Sequence, residues 1–119
     1  MESTHSLQLL QKSQITTVQK GMTASIAGIT FEVLWPDVSI HNFESMPGEG
    51  SVINNSSIAM IISTTDWSIF TAGDLEPPAQ HEILGNVRAV DIYKVCHHGS
   101  KYQDAGLMKS LSAQIAVIS

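Results

Sequence analysis

Two short polar segments of the chain contain side chains that could bind a metal ion. Asp74 follows Gly73 at the end of one apolar stretch, and His97 and His98 follow a second apolar stretch and precede Gly99. Carboxylate oxygens and imidazole nitrogens are ligands that suit zinc or manganese in proteins. The residue types therefore indicate a metal site, although neither segment is specific when taken alone.

Each of these residues also has an ordinary structural interpretation. Aspartate is a favoured helix N-cap, and the local sequence does not distinguish that role from metal binding at Asp74. The adjacent histidines could be a surface pair in a loop. In an extended segment their side chains would point in opposite directions, so we expect one to be a ligand while the other packs, donates a hydrogen bond or faces substrate. Cys96 ends an apolar strand and is expected to be buried.

The elements that must position these residues are short strands and short helices. Apolar or alternating stretches predict strands at residues 25–35 (two strands or one bulged strand), 57–64, 67–72, 90–95 and 115–118. Helices are predicted at residues 3–12, 77–84 and 103–111, and a long surface loop at residues 37–50. The pattern predicts an α/β chain with a mixed or mainly antiparallel sheet and short flanking helices. Asp74 and one of the two histidines should converge at one edge of that sheet.

The composition is that of a folded chain without a basic surface. The 119 residues, 43% of them hydrophobic, are enough for one domain or for part of one. The formal net charge is −5, so the basic face of a duplex-binding domain is not indicated. No run of about 18 apolar residues predicts a membrane helix. We therefore expect this segment to be soluble and to make no membrane contact itself.

Three segments, taken in order, resemble one family of proteins. They are residues 54–58 (NNSSI) before an apolar strand, residues 70–76 (FTAGDLE) and residues 91–100 (DIYKVCHHGS), with the last strand completing the order. Over about residues 26–119 the chain is similar to the hydrolase domain of ComEC/Rec2 competence proteins. The resemblance implies a metallo-β-lactamase fold, in which two sheets pack face to face with helices outside. Residues 1–119 would be a single partial domain, the C-terminal half of that αββα sandwich.

The resemblance also implies roles for individual residues. Asp74 would bridge two divalent ions, zinc or manganese, and so serve catalysis, whereas His98 would be a terminal ligand of one ion, with His97 as the second choice. The residues expected near the site or the substrate are Asn54, Asn55 and Ser100. The parent protein would degrade one strand of incoming DNA during uptake, as a membrane protein with this domain on the extracytoplasmic side.

The chain also departs from the family pattern. The motif His-x-His-x-Asp-His is absent, and Cys96 stands where a proline is usual. Two protein ligands are too few for an ordinary zinc site. We therefore expect the chain alone to be inactive and to need the missing N-terminal half of the domain as a partner. The two ions are expected in the full-length domain, and this chain by itself could bind none.

Two other functions, and the formation of a homodimer, remain open at this point. The chain could be part of another hydrolase of the same fold that acts on a small phosphoester or ester, or it could be a non-catalytic binding domain. Loss of the second sheet would leave an apolar sheet face uncovered. We expect that face to be covered by the predicted helix at residues 3–12 or by a second copy of the chain in a homodimer.

Overall fold

A computed structural model describes residues 16–37 and 51–119, and the strands within them form one mixed six-stranded sheet. The strands lie in chain order, as β1 (Thr23–Ile26), β2 (Ile29–Trp35), β3 (Ala59–Ser63), β4 (Ser68–Thr71), β5 (Ile92–Lys94) and β6 (Ile115–Val117). Strands β1 to β4 pair antiparallel, and β4, β5 and β6 pair parallel. The described helices are α1 (Ser51–Asn54), α2 (Pro77–Glu82) and α3 (Ala105–Leu111), and 3-10 turns lie at Leu84–Asn86 and His97–Gly99.

The α/β class, the mixed sheet and the short helices agree with the sequence prediction. Residues 25–35 form parts of two strands, joined by a two-residue turn in which Ala27 and Gly28 both have positive φ. Helix α3 begins two residues later than predicted because Asp104 is its N-cap and accepts a hydrogen bond from the backbone N–H of Leu107. The helix predicted at residues 3–12 and nearly all of the loop predicted at residues 37–50 lie outside the described residues.

The directions of the strands bring the predicted polar segments to one edge of the sheet. Parallel strands need crossover connections, and α2 and α3 supply them between β4, β5 and β6. Consequently β4, β5 and β6 all finish at the same edge. Because β3 runs antiparallel to β4, β3 begins at that edge too. We call this boundary, where β3 begins and β4 to β6 finish, the site edge.

One face of the sheet is covered by helices α2 and α3. Ile61, Phe70 and Tyr93 are aligned across β3, β4 and β5, so their side chains share a face. All three are buried in one core with apolar residues of the two helices, namely Ala79, Leu107 and Leu111. This face therefore holds the main hydrophobic core of the described residues.

The opposite face, which we call the open face, is also apolar. A row of paired residues crosses all six strands on it, consisting of Ala24, Phe31, Ile62, Ile69, Ile92 and Ile115. These side chains are half-buried or exposed, and Ile115 is 57% exposed. Among residues 16–37 and 51–119, the helices that have buried side chains pack on the face that carries Ile61, Phe70 and Tyr93. In the described structure, a layer of helices thus covers one apolar face of the sheet, and no helical layer covers the open face.

Adjacent isoleucines in β3 test this assignment of faces. Ile61 is fully buried on the covered face, so Ile61→Ala should lower the free energy of unfolding by about 2–5 kcal/mol through the cavity it creates. Ile62 is half-buried on the open face, and Ile62→Ala should cost about 1 kcal/mol or less. Urea unfolding of both variants measures the difference. Equal losses would mean that the open face is packed as tightly as the covered one.

Candidate functional site

Asp74 and His98 lie together at the site edge. Asp74 follows β4 and His98 follows β5, and Asp74 Oδ1 lies 3.4 Å from His98 Nε2. Both side chains are accessible to solvent, at 40% and 67% exposure respectively. Two ligands of a tetrahedral ion with bonds of about 2.1 Å are about 3.4 Å apart. The separation therefore fits one shared ion, and it also fits a direct ion pair.

The second ring nitrogen of His98 is fixed by the main chain. Nδ1 lies 2.8 Å from the main-chain oxygen of Ser119, the last residue of the sequence, which follows β6. A main-chain oxygen, whether carbonyl or carboxylate, is an acceptor at neutral pH, so Nδ1 carries the proton. In the neutral ring the lone pair is then on Nε2, the nitrogen nearest Asp74. Metal-binding histidines commonly have their other nitrogen held in this way.

His97 has a different position from His98. The sequence predicted an extended segment here, and that prediction is wrong. His97 and His98 both have positive φ, 48° and 51°, within the tight turn His97–Gly99. The ring of His97 is half-buried, and its centroid lies 6.3 Å from that of His98. The backbone N–H of His97 donates to the carbonyl of Gly73 over 2.9 Å. Thus His98 contacts Asp74, while the backbone of His97 joins the two loops.

Asp74 is not the N-cap of a helix, so the structural interpretation that the sequence left open for this residue is wrong. Helix α2 has Glu76 at its N-cap position, and the Glu76 side chain makes no capping hydrogen bond. The backbone N–H of Asp74 instead donates to Ser57 Oγ over 3.1 Å. Gly73 has a φ of 52°, and a Cβ there would lie 2.9 Å from Ser57 Oγ. Glycine at position 73 therefore permits both the turn and the approach of Ser57.

Glu76 is a supporting residue that the sequence argument overlooked. Its carboxylate is 1% exposed and accepts hydrogen bonds from the side-chain amides of Asn54, over 2.9 Å, and Asn55, over 3.3 Å. The backbone N–H of Glu76 donates in turn to Asn55 Oδ1 over 3.1 Å. A buried carboxylate is costly without such partners. Asn54 and Asn55 therefore lie at the site edge and hold the loop that carries Asp74. The sequence offered one signal for this role of Glu76, namely an acidic residue two positions after Asp74.

Ser100 and Cys96 flank the turn that contains the histidines. The backbone N–H of Ser100 donates to the carbonyl of His97 over 2.8 Å, and its Oγ accepts from the backbone N–H of Tyr102. Cys96 is fully buried, as predicted, and burial raises the pKa of its thiol. Its side chain is part of the hydrophobic core, where Sγ accepts a hydrogen bond from the Tyr93 hydroxyl over 3.4 Å.

The described residues supply two candidate ligands at this place. Within residues 16–37 and 51–119, no group of three or more His, Cys, Asp or Glu side chains is arranged to hold a metal ion. Protein zinc sites use three or four protein ligands. Asp74 and His98 fit part of such a site, and other ligands would have to come from elsewhere.

The fold and the site define an α/β chain with a mixed sheet, whose Asp–His pair follows two neighbouring parallel strands. Over 109 residues the chain is 32% identical to ComE operon protein 3 of Bacillus subtilis (strain 168). The match covers 88% of this chain but 13% of that protein, so the chain spans a small part of its relative's length. The similarity links the chain to a competence protein. No protein-family model matches the chain, and no helix in its described parts is long and apolar enough to cross a membrane.

Gly99 provides a test of how the histidine turn is held. Its φ is 77°, and a Cβ would lie 2.8 Å from Ile118 Cγ2, so Gly99→Ala should destabilise the protein by about 1–3 kcal/mol. Gly85 has an open environment and no positive φ, so Gly85→Ala should be neutral or stabilising by up to about 1 kcal/mol. Thermal unfolding compares the two variants. Similar stabilities would contradict the proposed constraint at position 99.

Proposed function

We propose that the chain is the C-terminal part of a metallo-β-lactamase-fold hydrolase domain in a ComEC/Rec2-type DNA-uptake protein. In the whole protein, this domain would degrade one strand of incoming DNA with two divalent ions, zinc or manganese. The observation that carries the proposal is the 3.4 Å separation of Asp74 Oδ1 and His98 Nε2 at the site edge. The similarity to ComE operon protein 3 supports the assignment to DNA uptake.

The two faces of the sheet support the fold assignment. Helices α2 and α3 cover one face, as the outer layer of an αββα sandwich would. The row of apolar side chains on the open face, which includes Phe31, Ile62 and Ile92, is suited to packing against a second sheet. Phe31 also lines an apolar groove of about 340 Å³. In this proposal the second sheet comes from the N-terminal half of the domain.

The residues of this chain would hold and orient part of the metal centre. When bound, divalent ions in such hydrolases activate water and stabilise charge on a phosphoryl oxygen. His98 would present Nε2, since its Nδ1–H is held by the carbonyl of Ser119. Asp74 has two carboxylate oxygens, so it can serve two ions. Because the chain has a net charge of −5, attraction of DNA would depend on the ions and on the rest of the protein.

Addition of Mn²⁺ to the 119-residue chain tests the ligand pair directly. Even weak binding of this paramagnetic ion broadens the NMR signals of nearby nuclei, so the method does not need a complete site. We expect selective broadening at Asp74 and His98. Substitution of either ligand, by Asp74→Asn or His98→Ala, should remove the effect, whereas His97→Ala should reduce it less.

The chain contains a matched control for this experiment. His81 Nδ1 lies 3.1 Å from Asp104 Oδ2, which makes a second His–Asp pair, between helix α2 and the N-cap residue of α3. His81→Ala should leave the broadening at Asp74 and His98 unchanged. Broadening centred on His81 and Asp104, or broadening that persists in both Asp74→Asn and His98→Ala, would contradict the proposed site.

A nuclease assay tests the prediction that this chain holds an incomplete site. The described residues provide two ligands, so we expect no cleavage of single- or double-stranded DNA, even with excess Zn²⁺ or Mn²⁺. Gel analysis of labelled DNA, with Asp74→Ala as the control, measures this. Cleavage by the wild-type chain that is lost in Asp74→Ala would show that this chain, or a second copy of it, completes the site.

A further inference from the structure

The side-chain amide of Gln103 brackets the turn that contains the histidines. Its Nε2 donates to the backbone carbonyl of Cys96 and to that of Ser100, each over 2.9 Å. These carbonyls lie immediately before and after the turn His97–Gly99. An amide nitrogen has two hydrogens, and here both bind the ends of a single turn. Gln103 therefore fixes the distance between the two ends.

The amide oxygen of Gln103 connects the same turn to the Asp74 loop. It accepts from Gln80 Nε2 and from the hydroxyl of Tyr93, each over 3.3 Å. Gln80 is fully buried, and its Nε2 also donates to the carbonyl of Leu75 over 2.6 Å. Leu75 directly follows Asp74. A continuous chain of hydrogen bonds thus runs from the histidine turn through two glutamines to the Asp74 loop.

The turn needs such external support because of its backbone conformation. His97, His98 and Gly99 all have positive φ, which is unfavourable for residues with a Cβ. Backbone of this kind persists only where surrounding contacts determine it. The hydrogen bond from the His97 N–H to the Gly73 carbonyl is one such contact. The Gln103 amide supplies two more, one at each end of the turn.

We propose that Gln103, anchored by Gln80, is a positioning residue that sets the distance between Asp74 and His98. The importance of Gln103 for metal binding rests on the proposed function. Its effect on the distance between Asp74 and His98 does not. Without the two donors of Gln103, the turn relaxes and His98 loses its defined place between Asp74 and the carbonyl of Ser119. The contribution of Gln103 is therefore to the geometry of the pair, since the residue contacts neither Asp74 nor the ring of His98 through any of these hydrogen bonds.

The test compares variants of the metal-free 119-residue chain by NMR. Gln103→Met keeps a side chain of similar size but removes both donors. We expect the ¹⁵N shifts of the His98 ring to move from those of a single Nδ1–H tautomer towards an average of tautomers. The signals of the backbone amides of residues 97–99 should shift or broaden in the same variant. Gln103→Asn, which keeps the amide but is one methylene shorter, should act in the same direction and carries the test if Gln103→Met fails to fold.

Two controls separate positioning from general stability. Gln114→Met makes the same change at an exposed position. Leu107→Ala removes a fully buried core side chain without changing the Gln103 amide. Both should retain the wild-type shifts of the His98 ring. If Leu107→Ala alters these shifts as strongly as Gln103→Met, or if neither Gln103 variant alters them, the positioning role is overturned.

Binding of Mn²⁺ provides a second readout that distinguishes this inference from the proposed function. If the wild-type chain binds Mn²⁺ at Asp74 and His98, Gln103→Met should weaken that binding by about 10–100-fold, as the loss of other supporting residues around metals does. Unchanged Mn²⁺ affinity in a folded Gln103→Met variant would overturn the role. If the wild-type chain binds no Mn²⁺ but Gln103→Met still changes the His98 ring shifts, the positioning role stands and the metal-binding proposal fails.

Discussion

The sheet changes from antiparallel to parallel pairing at β4, and the arrangement of the site depends on this change. If β5 ran antiparallel to β4, the segments after the two strands would lie at opposite edges of the sheet. Parallel pairing instead places Asp74 and His98 side by side, and a backbone hydrogen bond from His97 to Gly73 joins the two loops. The crossover helices that this pairing requires also form the covered face. One choice of strand direction therefore determines both the site and the position of the core.

The support around the Asp–His pair consists mainly of neutral amides. Asn54 and Asn55 bind the buried carboxylate of Glu76, while Gln80 and Gln103 join the backbone of the two loops. Amide groups can both donate and accept, so they satisfy buried polar atoms without introducing a further charge. Among the described residues, no buried side-chain nitrogen or oxygen lacks a hydrogen-bond partner. The surroundings of the site are therefore polar and hydrogen-bonded, while the side chains of Asp74 and His98 remain accessible to solvent.

Much of the fold could be predicted from the sequence because its signals are local. Alternating or continuous apolar residues marked the strands, Pro77 marked the start of α2, and the resemblance placed Asp74 and His98 at one site. Strand direction could not be read, since the same apolar pattern suits a parallel or an antiparallel strand. The left-handed turn at His97 was also missed, because hydrogen bonds from distant residues such as Gln103 support it.

The hydrogen bond between His98 Nδ1 and the carbonyl of Ser119 has a consequence for how the site tolerates genetic change. The acceptor belongs to the main chain, so every amino acid at position 119 carries it. Substituting Ser119 can leave the imidazole orientation intact, and a comparison of residue identities would give no hint that the position matters. A shift of the strand register in β6, by contrast, would remove the acceptor while keeping every side chain of the Asp–His pair. The orientation of His98 therefore depends on the alignment of β6 and not on which amino acid stands at position 119.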